Sequence, residues 1–162
     1  MRLAAALAGL ALALAACGFQ LRGTASLPFD TVFVPNATTG IALDIKRSIQ
    51  AGTHTRVVDD PKSAAALLQF SEESRRKDIL SLTSAGRVNE YRLFYRVGFR
   101  VSDGKGGDFL PPVSIQLFRD MTYDDSQVLA KEAEEQLLFR DMQHDMVQQV
   151  LRRIATAKPV KS

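Results

Sequence analysis

Three arginines are spaced for one kind of chemistry, the binding of an anion. Arg92, Arg96 and Arg100 recur every four residues in a stretch that alternates apolar and polar side chains. In a strand, side chains on one face repeat about every 6.6–7 Å, so the three guanidinium groups form a row. The planar guanidinium suits phosphate. The alternative is a solvated face whose charge is balanced by nearby acidic residues, namely Glu72, Glu73 and Glu90.

The residue types that usually carry catalysis are too few and too scattered to form a site. His54 and His144 are the only histidines and have no cysteine beside them, so a zinc site lacks ligands. A nucleophile, a base and an orienting group cannot be assembled from them. The glycines in 104–107 are not followed by Lys-Ser or Lys-Thr, which favours a hairpin turn over a phosphate loop. We expect no enzyme, no metal and no cofactor.

Cys17, the one cysteine of the chain, ends a short apolar segment. Arg2 precedes a stretch, 3–16, that holds only Leu, Ala and Gly. A transmembrane helix needs about 20 residues, so 1–16 is predicted to be a cleaved signal peptide. The run Leu14-Ala15-Ala16-Cys17 resembles the lipobox of bacterial lipoproteins, which implies an N-acyl and an S-diacylglycerol group on Cys17. The alternative is an ordinary secretory peptide with a chance cysteine.

The segment after the cysteine, 17–30, is unusual for a tether. Gly18 stands where Asp would retain an enteric-type lipoprotein in the inner membrane, so the resemblance implies the outer membrane. Apolar Phe19 and Leu21 alternate with polar residues, whereas a flexible linker is rich in Ser, Gly or charge. The segment could anchor two side chains at the lipid interface, or dock as an extended piece on a partner.

The remaining chain has the size and charge of one ordinary domain. With 162 residues and a formal charge of +3, it predicts a single domain over 31–156 and a short tail, 157–162. A nucleic-acid-binding protein would carry a stronger and clustered basic charge, so no nucleic-acid partner is expected. With one cysteine there is no disulfide, and stability must come from a core.

Periodicity places the elements of the first half. A β-branched run over 31–34 predicts a strand that Pro35 ends. Ile41, Ile45 and Ile49 recur at helical spacing and predict a helix ending near Gly52. Residues 55–58 are a possible strand. The apolar run 64–70 suits a strand or a helix, and the polar tract 71–78 favours a strand that leaves the core as an exposed ribbon.

The second half holds the clearest strand and the longest helix. Residues 91–101 are apolar at each odd position, which puts six apolar side chains on one face and the arginines on the other. A turn over 103–108 leads to a further strand around 113–118, with Pro111 and Pro112 restricting it to an edge or a strand start. From 126 to about 155 the chain is predicted to be one helix with an apolar stripe of Ala130, Ala133, Leu137, Met142, Met146, Val150 and Ile154.

Together these elements predict an α+β fold. We expect a two-layer sandwich in which a mainly antiparallel or mixed four-stranded sheet packs two helices on one face. The acidic residues Glu132, Glu134 and Glu135 are expected on the solvated face of the last helix.

Four sequence blocks, in order, resemble the LptE family of lipopolysaccharide-assembly lipoproteins. The first is Cys17-Gly18-Phe19-Gln20-Leu21-Arg22-Gly23, directly after the lipobox. The others are Glu90-Tyr91-Arg92-Leu93, the strand over 113–120, and the helix start 129–136. The resemblance covers most of the mature chain, and the combination is more specific than any single block.

This resemblance implies a function that the residues themselves only permit. The family implies a non-enzymatic plug inside the outer-membrane β-barrel subunit LptD, which supports barrel assembly and the insertion of lipopolysaccharide into the outer leaflet. The expected partners are LptD, lipopolysaccharide and the outer membrane through the lipid anchor. The alternative is a lipid-binding lipoprotein of another envelope transport system, with an open apolar pocket between sheet and helices.

Candidate lipopolysaccharide contacts follow from the resemblance and from the arginine row. Lys131 occupies the lysine position of the block at the start of the last helix. The family often has a basic residue in the turn before Glu-Tyr, and the nearest cation here is Arg87. Arg92 and Arg96 complete the candidates.

Overall fold

The computed structural model describes residues 26–158 of the chain. The predicted signal peptide, Cys17, residues 18–25 of the anchor segment and the last four residues of the tail lie outside this range.

One mixed sheet and two helices form the protein, so the predicted α+β class is confirmed. The strands are β1 (Thr31–Phe33), β2 (Arg56–Val58), β3 (Ala66–Leu82), β4 (Val88–Ser102) and β5 (Asp108–Thr122), and the helices are α1 (Gly40–Gly52) and α2 (Val128–Ala155). The sheet order is β2-β1-β3-β4-β5. Strand β1 pairs parallel with β2 and β3, and the other pairs are antiparallel. The sheet has five strands rather than four, because the possible strand at 55–58 pairs with β1.

Strand β4 lies between the two other long strands and supplies the centre of the core. Its alternating residues Leu93, Tyr95, Val97, Phe99 and Val101 have no exposed surface. The two-residue period predicted these buried residues correctly because one face of the sheet is covered by helices and the other is solvated. Strand β5 is an edge strand, which accommodates Pro111 and Pro112.

Both helices pack on the same face of the sheet. From α1, Ile41, Ile45 and Ile49 are buried at the predicted spacing. From the second half of α2, the buried set includes Met142, Met146, Val150 and Ile154. These residues form one continuous core with β4.

The predicted apolar stripe is wrong in the first half of α2. Ala130, Ala133 and Leu137 are exposed. The half-buried side consists of Lys131, Glu134, Glu135 and Leu138 instead. This part of the helix contacts the polar ribbon of β3: Glu135 accepts from Lys77 Nζ at 2.6 Å, and this hydrogen bond raises the pKa of Lys77. Of the three glutamates expected in solvent, Glu135 therefore holds the helix to β3, and Glu134 pairs with Lys131 of the same helix.

A polar chain ties the ribbon to both helices. The Arg75 guanidinium lies 5.3 Å from the Tyr95 ring centroid and 5.4 Å from that of Phe139, and donates to Gln143 Oε1 at 2.7 Å. Gln143 Nε2 donates in turn to Asp44 Oδ2 of α1 at 2.6 Å. These contacts connect β3, α2 and α1 outside the apolar core.

The molecule has two distinct ends. Residues 31, 56, 66, 102 and 108 lie side by side across the sheet, so the segment 26–30 and the turn 103–107 share one end, which we call the proximal end. Both helices run toward it: α1 is followed by Thr55, which donates to the Phe29 carbonyl, and α2 runs from Thr122 back past the middle of β5. The turn 83–87 and the start of α2 form the distal end, where Arg87 contacts Asp125. Strand β4 spans the two ends, about 50 Å at 3.3–3.4 Å per residue.

Candidate ligand and partner surfaces

The arginine row lies on the sheet face away from the helices, as predicted, and its first member is tightly paired. Arg92 and Asp120 occupy directly paired positions of β4 and β5. Arg92 donates two hydrogen bonds to the carboxylate, at 2.6 and 2.8 Å. These bonds hold the pKa of Asp120 below its ordinary value. The guanidinium also lies 4.8 Å from the Phe118 ring centroid, so charge and aromatic surface are presented together.

The other two arginines of the row are also neutralised. Arg96 lies 3.2 Å from a Glu72 carboxylate oxygen and donates to Ser114 Oγ at 3.3 Å. Arg100 lies 3.5 Å from Asp108. Of the acidic residues expected to balance the row, only Glu72 does so. Glu73 accepts from the Tyr95 hydroxyl and Glu90 from Ser81. An anion binding here must displace carboxylates.

Lys131 and Arg87 meet at the distal end. The Lys131 ammonium donates to Glu134 at 2.9 Å and to Thr122 Oγ1 at 3.1 Å, and its side chain is 16% exposed. Arg87 pairs with Asp125 at 3.4 Å. Both cations act on Asp124, whose pKa is lowered first by hydrogen bonds from Ser126 and then by these two charges. The four candidate contacts therefore form two groups, one distal and one on the outer sheet face.

A group of exposed apolar side chains lies at the same end of the molecule as these cations, and sequence reasoning missed it. Leu129 is 81% exposed and Leu82 56%, and the distal apolar group comprises Ile79, Leu80, Leu82, Val128 and Leu129. The available signal was the sudden apolar run 79–82 after a polar tract, directly before a turn. Exposed leucines clustered at one end of a domain are typical of a contact surface rather than of ordinary solvent-exposed positions.

Potential metal ligands remain scattered among residues 26–158. These residues contain no group of three potential metal ligands. His54 lies between α1 and β2, whereas His144 is exposed on α2 beside a surface cleft of about 390 Å³. The described helices include none that is long and apolar enough to cross a bilayer.

Comparison with known families decides the relationship. A family model described as "LptE: Lipopolysaccharide-assembly" matches residues 29–154, which includes all strands and both helices except the last residue of α2. The chain belongs to the LptE family. The predicted family resemblance is thus confirmed.

Relatives and solved structures agree with this membership. The chain is 29% identical to the LPS-assembly lipoprotein LptE of Yersinia enterocolitica, over 91% of this chain and 73% of the relative. It is 26% identical to that of Pectobacterium atrosepticum, over 88% and 78%. The fold is similar to a solution structure of lipoprotein B from Nitrosomonas europaea, with a TM-score of 0.73 and 39% identity over 85% of this chain and 90% of that one. A crystal structure of rare lipoprotein B from Shewanella oneidensis gives a TM-score of 0.67 at 25% identity, over 78% and 94%.

Proposed function

We propose that this LptE-family chain is a non-enzymatic, lipid-anchored subunit of the outer-membrane lipopolysaccharide translocon. It plugs the LptD β-barrel, supports the assembly of that barrel and assists the insertion of lipopolysaccharide into the outer leaflet. Cys17 carries the acyl groups. The family match supports lipopolysaccharide assembly, and the distal apolar group is the observation that carries the role of a plug.

The positions of the two ends suit an anchored plug. Eight residues lie between Cys17 and Ser26, so the nine steps of the chain reach about 30 Å at most when extended. Ser26 lies at the proximal end, about 50 Å from the distal end by the length of β4. The anchor therefore holds the proximal end near the periplasmic leaflet and leaves the distal end free to project into a barrel lumen.

Lipopolysaccharide combines phosphates with acyl chains, and the distal end offers a surface of the same mixed chemistry. Lys131 and Arg87 supply the cations there, and Leu82 and Leu129 supply exposed apolar surface. Arg92 and Arg96 supply a second set on the outer sheet face, where each is also paired with a carboxylate. We assign lipopolysaccharide contact first to the distal pair.

The alternative of a lipid-carrying lipoprotein is less well supported. That hypothesis places its ligand in an apolar pocket between sheet and helices. In the described part of the chain this space is filled by Tyr95, Val97, Met142 and Met146, each without exposed surface.

Co-purification from outer membranes tests the role of the distal end. The acylated protein, extracted in mild detergent, should bring down a large β-barrel subunit. The double variant Leu82→Glu/Leu129→Glu should lose most of it, because two charges would have to be buried against the partner.

Leu137→Glu is the matched control, since Leu137 is an exposed leucine on the middle of α2. It should retain the barrel subunit. Equal recovery of the barrel with all three proteins would contradict the proposal, and recovery of bound phospholipid without a barrel would support the alternative.

A further inference from the structure

The cations without a side-chain partner lie mainly at the proximal end, not where the anion ligand was predicted. Each of the four candidate contacts forms an ion pair. By contrast, six exposed cations at the proximal end form no ion pair and no side-chain hydrogen bond within residues 26–158. They are Arg56, Lys62, Lys105, Arg152, Arg153 and Lys158. Unpaired surface charge is available to an external anion without loss of an internal contact.

Several elements bring these cations to one end. Arg56 begins β2 beside Thr31, and Lys105 lies in the turn between β4 and β5. Arg152 and Arg153 are in the last turn of α2, and Lys158 follows the helix. The nearby carboxylate of Asp103 is already engaged, because it accepts from the backbone amides of Lys105 and Gly107 at 2.7 and 2.9 Å.

Two of these arginines line an open cleft against the edge strand. The cleft has a volume of about 520 Å³ and lies between the last turns of α2 and the middle of β5. Its polar walls are Arg152, Arg153, Gln149, Thr156 and Ser114, and Val113 and Ile115 contribute apolar surface. Guanidinium forks with amide and hydroxyl groups beside apolar surface match a phosphodiester attached to a glycerol and the upper part of an acyl chain.

We infer that the proximal end binds the phosphodiester head groups of anionic phospholipids in the leaflet that carries the anchor, with Arg152 and Arg153 as principal contacts. This inference rests on the proposed acylation of Cys17 for its choice of ligand. The anchor segment enters the fold at this end and reaches about 30 Å at most. An acylated chain therefore keeps this end beside the membrane surface, where the cations can contact the head groups directly.

A purely structural role for the two arginines makes a different prediction. Cations in the last turn of a helix complement the helix dipole. If that were their whole purpose, their replacement would lower thermal stability and leave membrane binding unchanged.

Vesicle binding separates these roles. The mature chain carrying Cys17→Ser, exported behind an ordinary secretory leader so that it has no acyl group, is mixed with phosphatidylcholine vesicles with or without about one-third phosphatidylglycerol. Each cation near an anionic surface strengthens partitioning about fivefold, so Arg152→Gln/Arg153→Gln should weaken binding to the anionic vesicles about 25-fold. Neutral vesicles should bind little, and added salt should reduce binding.

Arg47→Gln/Arg140→Gln is the matched control. Both residues are exposed cations without an ion pair among residues 26–158, and both lie on the middle of a helix. This variant should bind the anionic vesicles nearly as well as the parent chain. Equal binding by the Arg152/Arg153 variant, or an equal loss of binding in the Arg47/Arg140 control, would overturn the inference.

Failure of the anchor itself would be seen separately. The mass of the N-terminal peptide of the natural protein reports acylation of Cys17, and the vesicle assay does not depend on it. If the natural protein has no acyl group but the chain still binds vesicles, the proposed anchor is wrong and the proposed proximal lipid-binding surface still holds. If the natural protein is acylated but its unacylated form does not bind anionic vesicles, the proposed proximal lipid-binding surface is wrong and the proposed anchor still holds.

Discussion

At the scale of single residues, nearly every cation that was a candidate ligand already has a carboxylate partner. Arg92 is held by Asp120 and Lys131 by Glu134. Exposed ion pairs of this kind contribute little to stability, typically below about 1 kcal/mol, so they can exchange partners readily. A phosphorylated ligand would take the place of the carboxylate rather than fill an empty site.

Neutralising the distal cations should therefore weaken lipopolysaccharide binding without unfolding the protein. For Lys131→Gln/Arg87→Gln we expect at least a tenfold weaker affinity, because two charge-assisted contacts are lost. The thermal midpoint should change only slightly, since the Arg87–Asp125 pair is exposed and the Lys131–Glu134 pair joins neighbouring turns of one helix. Binding of labelled lipopolysaccharide and a melting curve measure the two effects.

Arg47→Gln/Arg140→Gln is again the control, with the same loss of charge away from the distal end. If it weakens lipopolysaccharide binding as much as the distal variant, general electrostatic attraction explains the binding. In that case Lys131 and Arg87 are not specific contacts.

The Arg92–Asp120 pair should also give the fold an acid-sensitive component. Asp120 has a pKa lowered below its ordinary 3.8 by hydrogen bonds from Arg92. Its stabilisation is therefore fully present above about pH 5, and it is lost as pH falls through the ordinary value toward the lowered one. Asp120→Asn should melt below the parent protein at pH 7, and the difference between the two midpoints should shrink as the pH falls below the ordinary aspartate pKa of about 4. A difference that stays constant from neutral to acid pH would contradict this role.

At the scale of elements, hydrophobic periodicity correctly predicted the buried residues of those segments that pack one face against apolar partners. Strand β4 and helix α1 met this condition, and their buried residues matched the pattern. The first half of α2 did not, because it lies along a polar ribbon and packs through Lys131, Glu134 and Glu135. The spacing of apolar residues cannot predict a helix face that packs through polar and charged side chains.

The two halves of α2 should respond differently to truncation. Met146→Ala removes a side chain with no exposed surface and should cost about 2–5 kcal/mol of unfolding free energy. Leu137→Ala, at a half-exposed position of the same helix, should change it by no more than about 0.5 kcal/mol. Urea unfolding of both variants compares them, and similar losses would mean that the first half of α2 is buried in solution.

The candidate surfaces were predictable only in part. Side chains on one face of β4 follow from its two-residue period, so the row of Arg92, Arg96 and Arg100 could be placed from the sequence. Their pairing with Asp120 and Asp108 depends on the register between strands, which the sequence leaves open. The distal apolar group forms only because the 83–87 turn lies beside the start of α2. These residues are far apart in the chain, so the sequence alone did not predict the group.

At the scale of the whole molecule, the protein is polarised along its strands. Most of the cations without an ion pair within residues 26–158, and the entry of the anchor segment, lie at the proximal end. Exposed leucines and the candidate pair Lys131 and Arg87 lie at the distal end. This arrangement suits a body fixed to a leaflet by one end and inserted into a partner by the other, which is the central claim of the proposed function.

Photo-crosslinking in intact cells tests this claim most directly. A photoreactive residue at position 129 of the acylated protein should capture a large outer-membrane β-barrel protein, whereas the same residue at position 105, in the proximal turn, should capture much less of it. Melting curves of both variants would confirm that each is folded. Capture of the barrel from position 105 but not from position 129, with both proteins acylated and folded, would contradict the account.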